Sequence, residues 1–221
     1  MAAAAAALFR GAWTSKQIKA GHRLEDLQSG QVNIVHVIRR QPAVQDVPAA
    51  QLLTNQQGRQ AVIDLRRDPE AAVAYLLESV QHTQLQQQLQ ADLLQAAQCI
   101  SSLRQVDHVR AKLECITKQS CPQWHADTVG VRMLCTYAGP GTWYVENKHV
   151  TRHLSPWTGS ASIAAVDERC AAQAGPGDLL FLKGNLSRGM AGAGAVHKSP
   201  GVAGECDARL LLTVDDACCS G

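Results

Sequence analysis

The sequence predicts an α+β protein in which an N-terminal helical region packs on a β-rich core of the jelly-roll or barrel kind. Two patterns predict it. Between Asp68 and Ile100 apolar residues recur at the spacing of a helix with one buried face. From Asp107 to Val214 short alternating or β-branched runs are separated by glycine and proline, the punctuation of a barrel or jelly roll. The 221 residues can bury one sizeable core. We divide them into an alanine-rich extension (1–23), a strand and helical region (24–106), a jelly-roll core (107–215) and a cysteine-containing tail (216–221).

Residues 1–23 carry Arg10, Lys16, Lys19 and Arg23 without an acid, the bias of a transit peptide. A mitochondrial or plastid location is therefore the alternative to a cytoplasmic one. Val32 to Ile38 is expected to be a strand, and Ala61 to Leu65 a second. Asp68-Pro69-Glu70 reads as a helix start, with a capping carboxylate and a proline where no N–H is needed. Val73, Leu76, Leu77 and Val80 form one apolar stripe, and Leu85, Leu89, Leu93, Ala97 and Ile100 continue it. Two helices, or one bent near His82-Thr83, fit this spacing, with Gln84, Gln86, Gln87, Gln88, Gln90 and Gln95 on a solvated face.

From His108 to Thr117 the chain alternates, as a half-buried strand does. Val131 to Tyr137 is a second alternating run, and Trp143 to Val145, Gly177 to Gly184, Ala195 to His197 and Arg209 to Val214 supply further strands. The polar passage from Glu146 to Gly177 reads as long loops with at most one strand, near Ile163 to Val166. His149 and His153 would share a face only on a helix, which Pro156 and the nearby glycines oppose.

The formal net charge is +2 with 18% charged residues, and the basic residues are scattered, so nothing in the sequence argues for nucleic-acid binding. No apolar run reaches the length of a membrane span. None of the eight cysteines forms a C-x-x-C pair, so zinc-ribbon and thioredoxin-like readings lack their spacing, and a reducing compartment is expected. Cys115 and Cys135 sit on apolar faces as small hydrophobes.

The chemistry concentrates in Cys121-Pro-Gln-Trp-His-Ala-Asp127 and the strands beyond it. On an extended backbone His125 and Asp127 leave the same face and can reach one atom together. His197, 72 positions later (197 − 125), would add a second imidazole. Two histidines and a carboxylate are the facial triad of non-haem Fe(II) oxygenases, which leaves coordination positions open. Trp124, Tyr137, Trp143 and Tyr144 are candidate cleft walls or core residues.

The order H-x-D, strand, glycine turn, G-D-apolar strand, lone His at a strand and a basic residue after it resembles the 2-oxoglutarate and Fe(II)-dependent dioxygenases, especially their prolyl-hydroxylase-like branch. The resemblance covers residues 107–214 and implies a double-stranded β-helix with iron at His125, Asp127 and His197. It also implies a basic residue on the strand after the distal histidine that holds 2-oxoglutarate, and Arg209 stands there. Arg209 follows His197 by twelve positions (209 − 197), farther than is usual in that branch, and Leu211 replaces the usual small hydroxyl residue. Lys183 and Lys198 are therefore rival carboxylate partners. The wording C-x-x-x-H-x-D, R-x-L-C-T-Y-x-G-P-G-T, L-K-G, H-K-S-P and R-L-L-L-T is also similar to a bacterial family of unknown function, over residues 24–215.

Two other functions use the same residues. With Cys121 as a fourth ligand the site would close around Zn(II), making a zinc-binding or zinc-handling protein. Without a metal, the domain would be a jelly-roll binding module. Under the oxygenase reading the substrate is a small molecule or a protein side chain, selected by loops that carry no readable motif, and oligomeric state leaves no trace in the sequence.

Overall fold

The computed structural model describes residues 18–19, 24–39, 44, 47–54, 58–155, 161–190, 192–202, 204 and 207–217. The alanine-rich start and the Cys218-Cys219 tail lie outside them, apart from Ile18–Lys19 (β1). The chain continues through β2 (Ile34–Val37), β3 (Arg59–Asp64), α1 (Pro69–Leu77), α2 (Thr83–Arg104), β4 (His108–Ile116) and β5 (Val131–Ala138). It then forms β6 (Trp143–Val145), β7 (Val150–Leu154), β8 (Ala161–Val166), β9 (Ala172–Gln173), β10 (Leu179–Lys183), β11 (Val196–Lys198) and β12 (Arg209–Asp216). No described helix is long and apolar enough to cross a membrane.

The fold is β-rich and its strand pairs are antiparallel. Seven strands form one sheet in the order β1-β2-β10-β5-β12-β4-β3, and three form another in the order β11-β6-β9. β2 and β3 thus join the same sheet as the strands beyond residue 107.

Two helices, not one bent helix, cover one face of the large sheet. The Asp68 carboxylate accepts from the Ala71 amide at 3.0 Å and caps α1. His82 Nδ1 accepts from the Leu85 amide at 3.4 Å and starts α2, which ends at Gln105 in the left-handed region. Leu85, Leu89, Leu93 and Ile100 are buried with Met133, Leu212 and Val214 of the sheet, while Gln84, Gln87 and Gln90 are exposed. Asp92 is the exception on this buried face. It takes a two-pronged ion pair from Arg39 and a hydrogen bond from the Tyr137 hydroxyl, which compensates its charge.

The other face of the large sheet meets the small sheet. Ile34, Leu134, Leu180 and Leu211 pack there against Tyr144 and Ala195. Central strands are therefore covered on both sides. β5 is buried at every position but Arg132, so the expected alternation of a half-buried strand is absent, whereas β4 keeps it, with Val109, Ala111 and Leu113 inward and Arg110 and Lys112 exposed.

The passage from Glu146 to Gly177 departs from expectation. It holds the β7–β8 hairpin and β9 instead of a single strand. His149 ends a short 3-10 turn and His153 sits on β7, so the two share no helix face.

Candidate metal centre

The segment between β4 and β5 brings His125 beside β11. The His125 amide donates to the His197 carbonyl at 3.0 Å, and the His197 amide donates back at 2.9 Å. Such a mutual pair sets two residues side by side on one face, and the imidazole centroids lie 4.4 Å apart. His125 is a single-residue pairing rather than part of a strand.

Backbone carbonyls orient both rings. His125 Nδ1 lies 2.9 Å from the Gln123 carbonyl, and His197 Nδ1 lies 3.2 Å from the Ala195 carbonyl. A carbonyl only accepts, so each Nδ1 donates there and each Nε2 is turned to the opposite side of its ring. Both Nε2 atoms face Asp127, at 3.6 Å from His125 and 3.2 Å from His197. One ligand atom from each of the three residues lies within 4.8 Å of the others.

Asp127 is held from both ends. Its carbonyl accepts from the Asn185 amide at 2.8 Å, and Arg132, itself bonded to Asp215, brings Nη1 to 2.7 Å from Oδ2. That oxygen is buried and accepts no well-directed hydrogen bond, despite the guanidinium alongside. Burial opposes the carboxylate charge, but contact with His197 and the charges of His197, Arg132 and His125 outweigh it and hold the acid at about 2. The carboxylate is thus ionised and has an oxygen without a directed partner, as a metal ligand requires.

His125, His197 and Arg209 line one cleft of about 480 Å³. Arg209 opens β12 next to a register shift between Leu210 and Leu211, a bulge that re-aims the strand end. Its side chain is 2% exposed, and only Nη2 has a partner, the Thr142 hydroxyl at 3.2 Å. Nε and Nη1 are buried without one. Burial drags the guanidinium down to about 10, against the pull of Glu114 and Cys121. Thr142 also lines the cleft. Its Gly139-Pro-Gly-Thr142 loop turns at Gly139 with φ +81°, where a side chain is strained.

The other expected residues lie apart from this cluster. Lys183 does not reach the cleft as a carboxylate partner, because its ammonium donates to the Ser29 carbonyl. Lys198 pairs with Glu168 at 3.1 Å and lies over the Trp124 ring at 4.4 Å, also outside the cleft. Cys121 is exposed on the cleft wall and does not join the three-ligand group. Trp124 and Trp143 line a separate depression, and Tyr137 and Tyr144 are core residues.

Thr142 and Arg132 border the site and received no role from the sequence, although they begin and end the stretch R-x-L-C-T-Y-x-G-P-G-T. Arg132 lies on β5 directly across from Asp215, a pairing that only the register reveals. Thr142 ends the glycine turn, and that turn is the available hint.

The family described as "Protein of unknown function (DUF1826)" matches residues 18–215. The chain belongs to this family. No curated protein matches it. Among solved structures, it is similar to the dioxygenase for auxin oxidation of rice, at 14% identity over 87% of this chain and 77% of that one, with a TM-score of 0.41. The Arabidopsis thaliana dioxygenase for auxin oxidation 1, solved with 2-oxoglutarate, is similar at 12% identity over 87% and 86%, with a TM-score of 0.44. Vicilin from Corylus avellana (hazelnut) is similar at 14% identity over 80% and 31%, with a TM-score of 0.29.

Proposed function

We propose that this protein is a 2-oxoglutarate- and Fe(II)-dependent dioxygenase, with iron on His125, Asp127 and His197 and the distal carboxylate of 2-oxoglutarate on Arg209. The observation that carries the reading is the Arg209 guanidinium, buried with two donors unpaired in the same cleft as the two imidazoles. A buried cation in that state is unfavourable until an anion reaches it. The unpaired Nη1 offers a carboxylate a charge-assisted hydrogen bond, while Thr142 fixes Nη2.

Two imidazoles oriented by carbonyls and one carboxylate suit Fe(II) with open positions. Cys121 stays outside the group, which supports an open centre over a closed tetrahedral zinc site. Iron so held, with 2-oxoglutarate, supplies oxidation of a substrate C–H bond by dioxygen coupled to decarboxylation of the oxoacid to succinate. The chain's own part is to bind and orient. Leu134 and Leu211 wall the cleft for the methylene chain of the diacid, and the exposed Arg110 and Lys112 side is left for the substrate. The facing large and small sheets support a double-stranded β-helix, with His125 and His197 on the small-sheet side.

The test is a visible difference spectrum of metal-stripped protein under anaerobic conditions, with Fe(II) and then 2-oxoglutarate added. A weak charge-transfer band that needs both additions, and disappears in Arg209→Ala, is expected. Absence of any band together with tight zinc uptake that requires Cys121 would replace the oxygenase with a zinc-holding protein.

A further inference from the structure

Outside the cleft, His149, Asp167 and Cys170 converge, with one ligand atom of each within 4.8 Å of the others. The β7–β8 hairpin causes this, since it pairs Val150 with Val166 and so sets the turn before β7 against the turn after β8. The Asp167 amide donates to the His149 carbonyl at 3.0 Å and ties the turns together. Within the second turn the Cys170 amide donates to the Asp167 carbonyl at 3.0 Å, and the thiol comes to 3.8 Å from Asp167 Oδ2. An imidazole nitrogen, a thiolate and a carboxylate oxygen form a donor set suited to Zn(II), with water in the fourth position.

We propose that His149, Asp167 and Cys170 bind a zinc-class divalent cation, separate from the iron centre, and that this ion braces the turn that holds both histidine-bearing segments together. Glu168, inside that turn, accepts from Trp124 Nε1 at 2.6 Å and pairs with Lys198 at 3.1 Å. Trp124 precedes His125 and Lys198 follows His197 in the chain. Fixing the turn therefore fixes the neighbours of two iron ligands at once, a supporting role of the kind that tunes metal affinity. Arg169 occupies the Asp167 carboxylate at 2.9 and 3.0 Å, but its side chain is 90% exposed and can swing into water as the cation arrives. Binding takes Cys170 as the thiolate and releases its proton to solvent. The zinc site stands by itself, and only its bracing role rests on the iron reading.

The experiment uses the full chain under reducing conditions, with zinc counted by equilibrium dialysis and Co(II) as the spectroscopic probe. His149→Ala and Cys170→Ser are each expected to bind one fewer zinc equivalent and to lose the near-ultraviolet thiolate-to-cobalt band. His125→Ala and Cys121→Ser keep that band, so failure of the iron reading shows separately, as an unchanged metal count in His125→Ala. Unchanged zinc count and band in both His149→Ala and Cys170→Ser overturn the site. Fe(II) affinity at the His125 centre is expected to fall about tenfold in Cys170→Ser, and an unchanged Fe(II) affinity overturns the brace.

Discussion

His125 and His197 exchange both backbone hydrogen bonds, at 3.0 and 2.9 Å, and so hold their imidazoles side by side. Register alone brings these residues together. A shift of one position on either segment would send one ring to the opposite face.

Arg209 is buried with two unpaired donors, so the metal-free, oxoacid-free protein carries an electrostatic burden there. Arg209→Met is expected to raise stability in that state by about 1–3 kcal/mol. On the proposed reading, the same change removes the further stabilisation that 2-oxoglutarate adds to that of Fe(II). Urea titrations with and without both additions read the two opposite effects.

Gly184 lies under the segment that carries Asp127. A Cβ there would collide with the Val129 carbonyl and lie 2.7 Å from the Asp127 carbonyl. Gly184→Ala is expected to displace Asp127, destabilise the fold by about 1–3 kcal/mol and weaken metal binding by about 10–100-fold. Equilibrium dialysis with Mn(II) on the folded variant checks the second figure.

Much of the fold is legible in the sequence because several elements have one wet face. β4 alternates since its outer face meets solvent, and Asp68-Pro69 announces α1 through its cap. β5 hides its period because helices cover one side and the small sheet the other. The β7–β8 hairpin escapes a reading by pattern because Thr151, His153 and Leu154 are exposed and neither strand buries a full face. At the site, H-x-D and the distal histidine are readable from spacing. Arg132 and Thr142 are not, since their roles arise from cross-strand register and from a glycine turn folding onto β12.

Asp178 sets a pH dependence away from the candidate metal centre. It is bonded to His36 at 2.8 Å and accepts from the Arg39 and Gly175 amides. Burial works against its charge, but His36 and the two amides prevail and hold its pKa below the usual carboxylate value. A depressed acid contributes stability that is complete above its unfolded value, about 4, and is lost as pH falls through the folded value. Stability is therefore expected to drop below about pH 4, and Asp178→Asn to flatten that part of the profile while lowering stability at neutral pH. Urea midpoints measured from about pH 6 to about pH 3 test this.

The most direct test of the iron and oxoacid site is anomalous diffraction, at the manganese edge, from crystals grown anaerobically with Mn(II) and 2-oxoglutarate. The expected result is a manganese peak bounded by His125 Nε2, His197 Nε2 and an Asp127 oxygen, with the distal carboxylate of the oxoacid on the Arg209 guanidinium. A peak bound through Cys121, or an oxoacid whose distal carboxylate avoids Arg209, would contradict it.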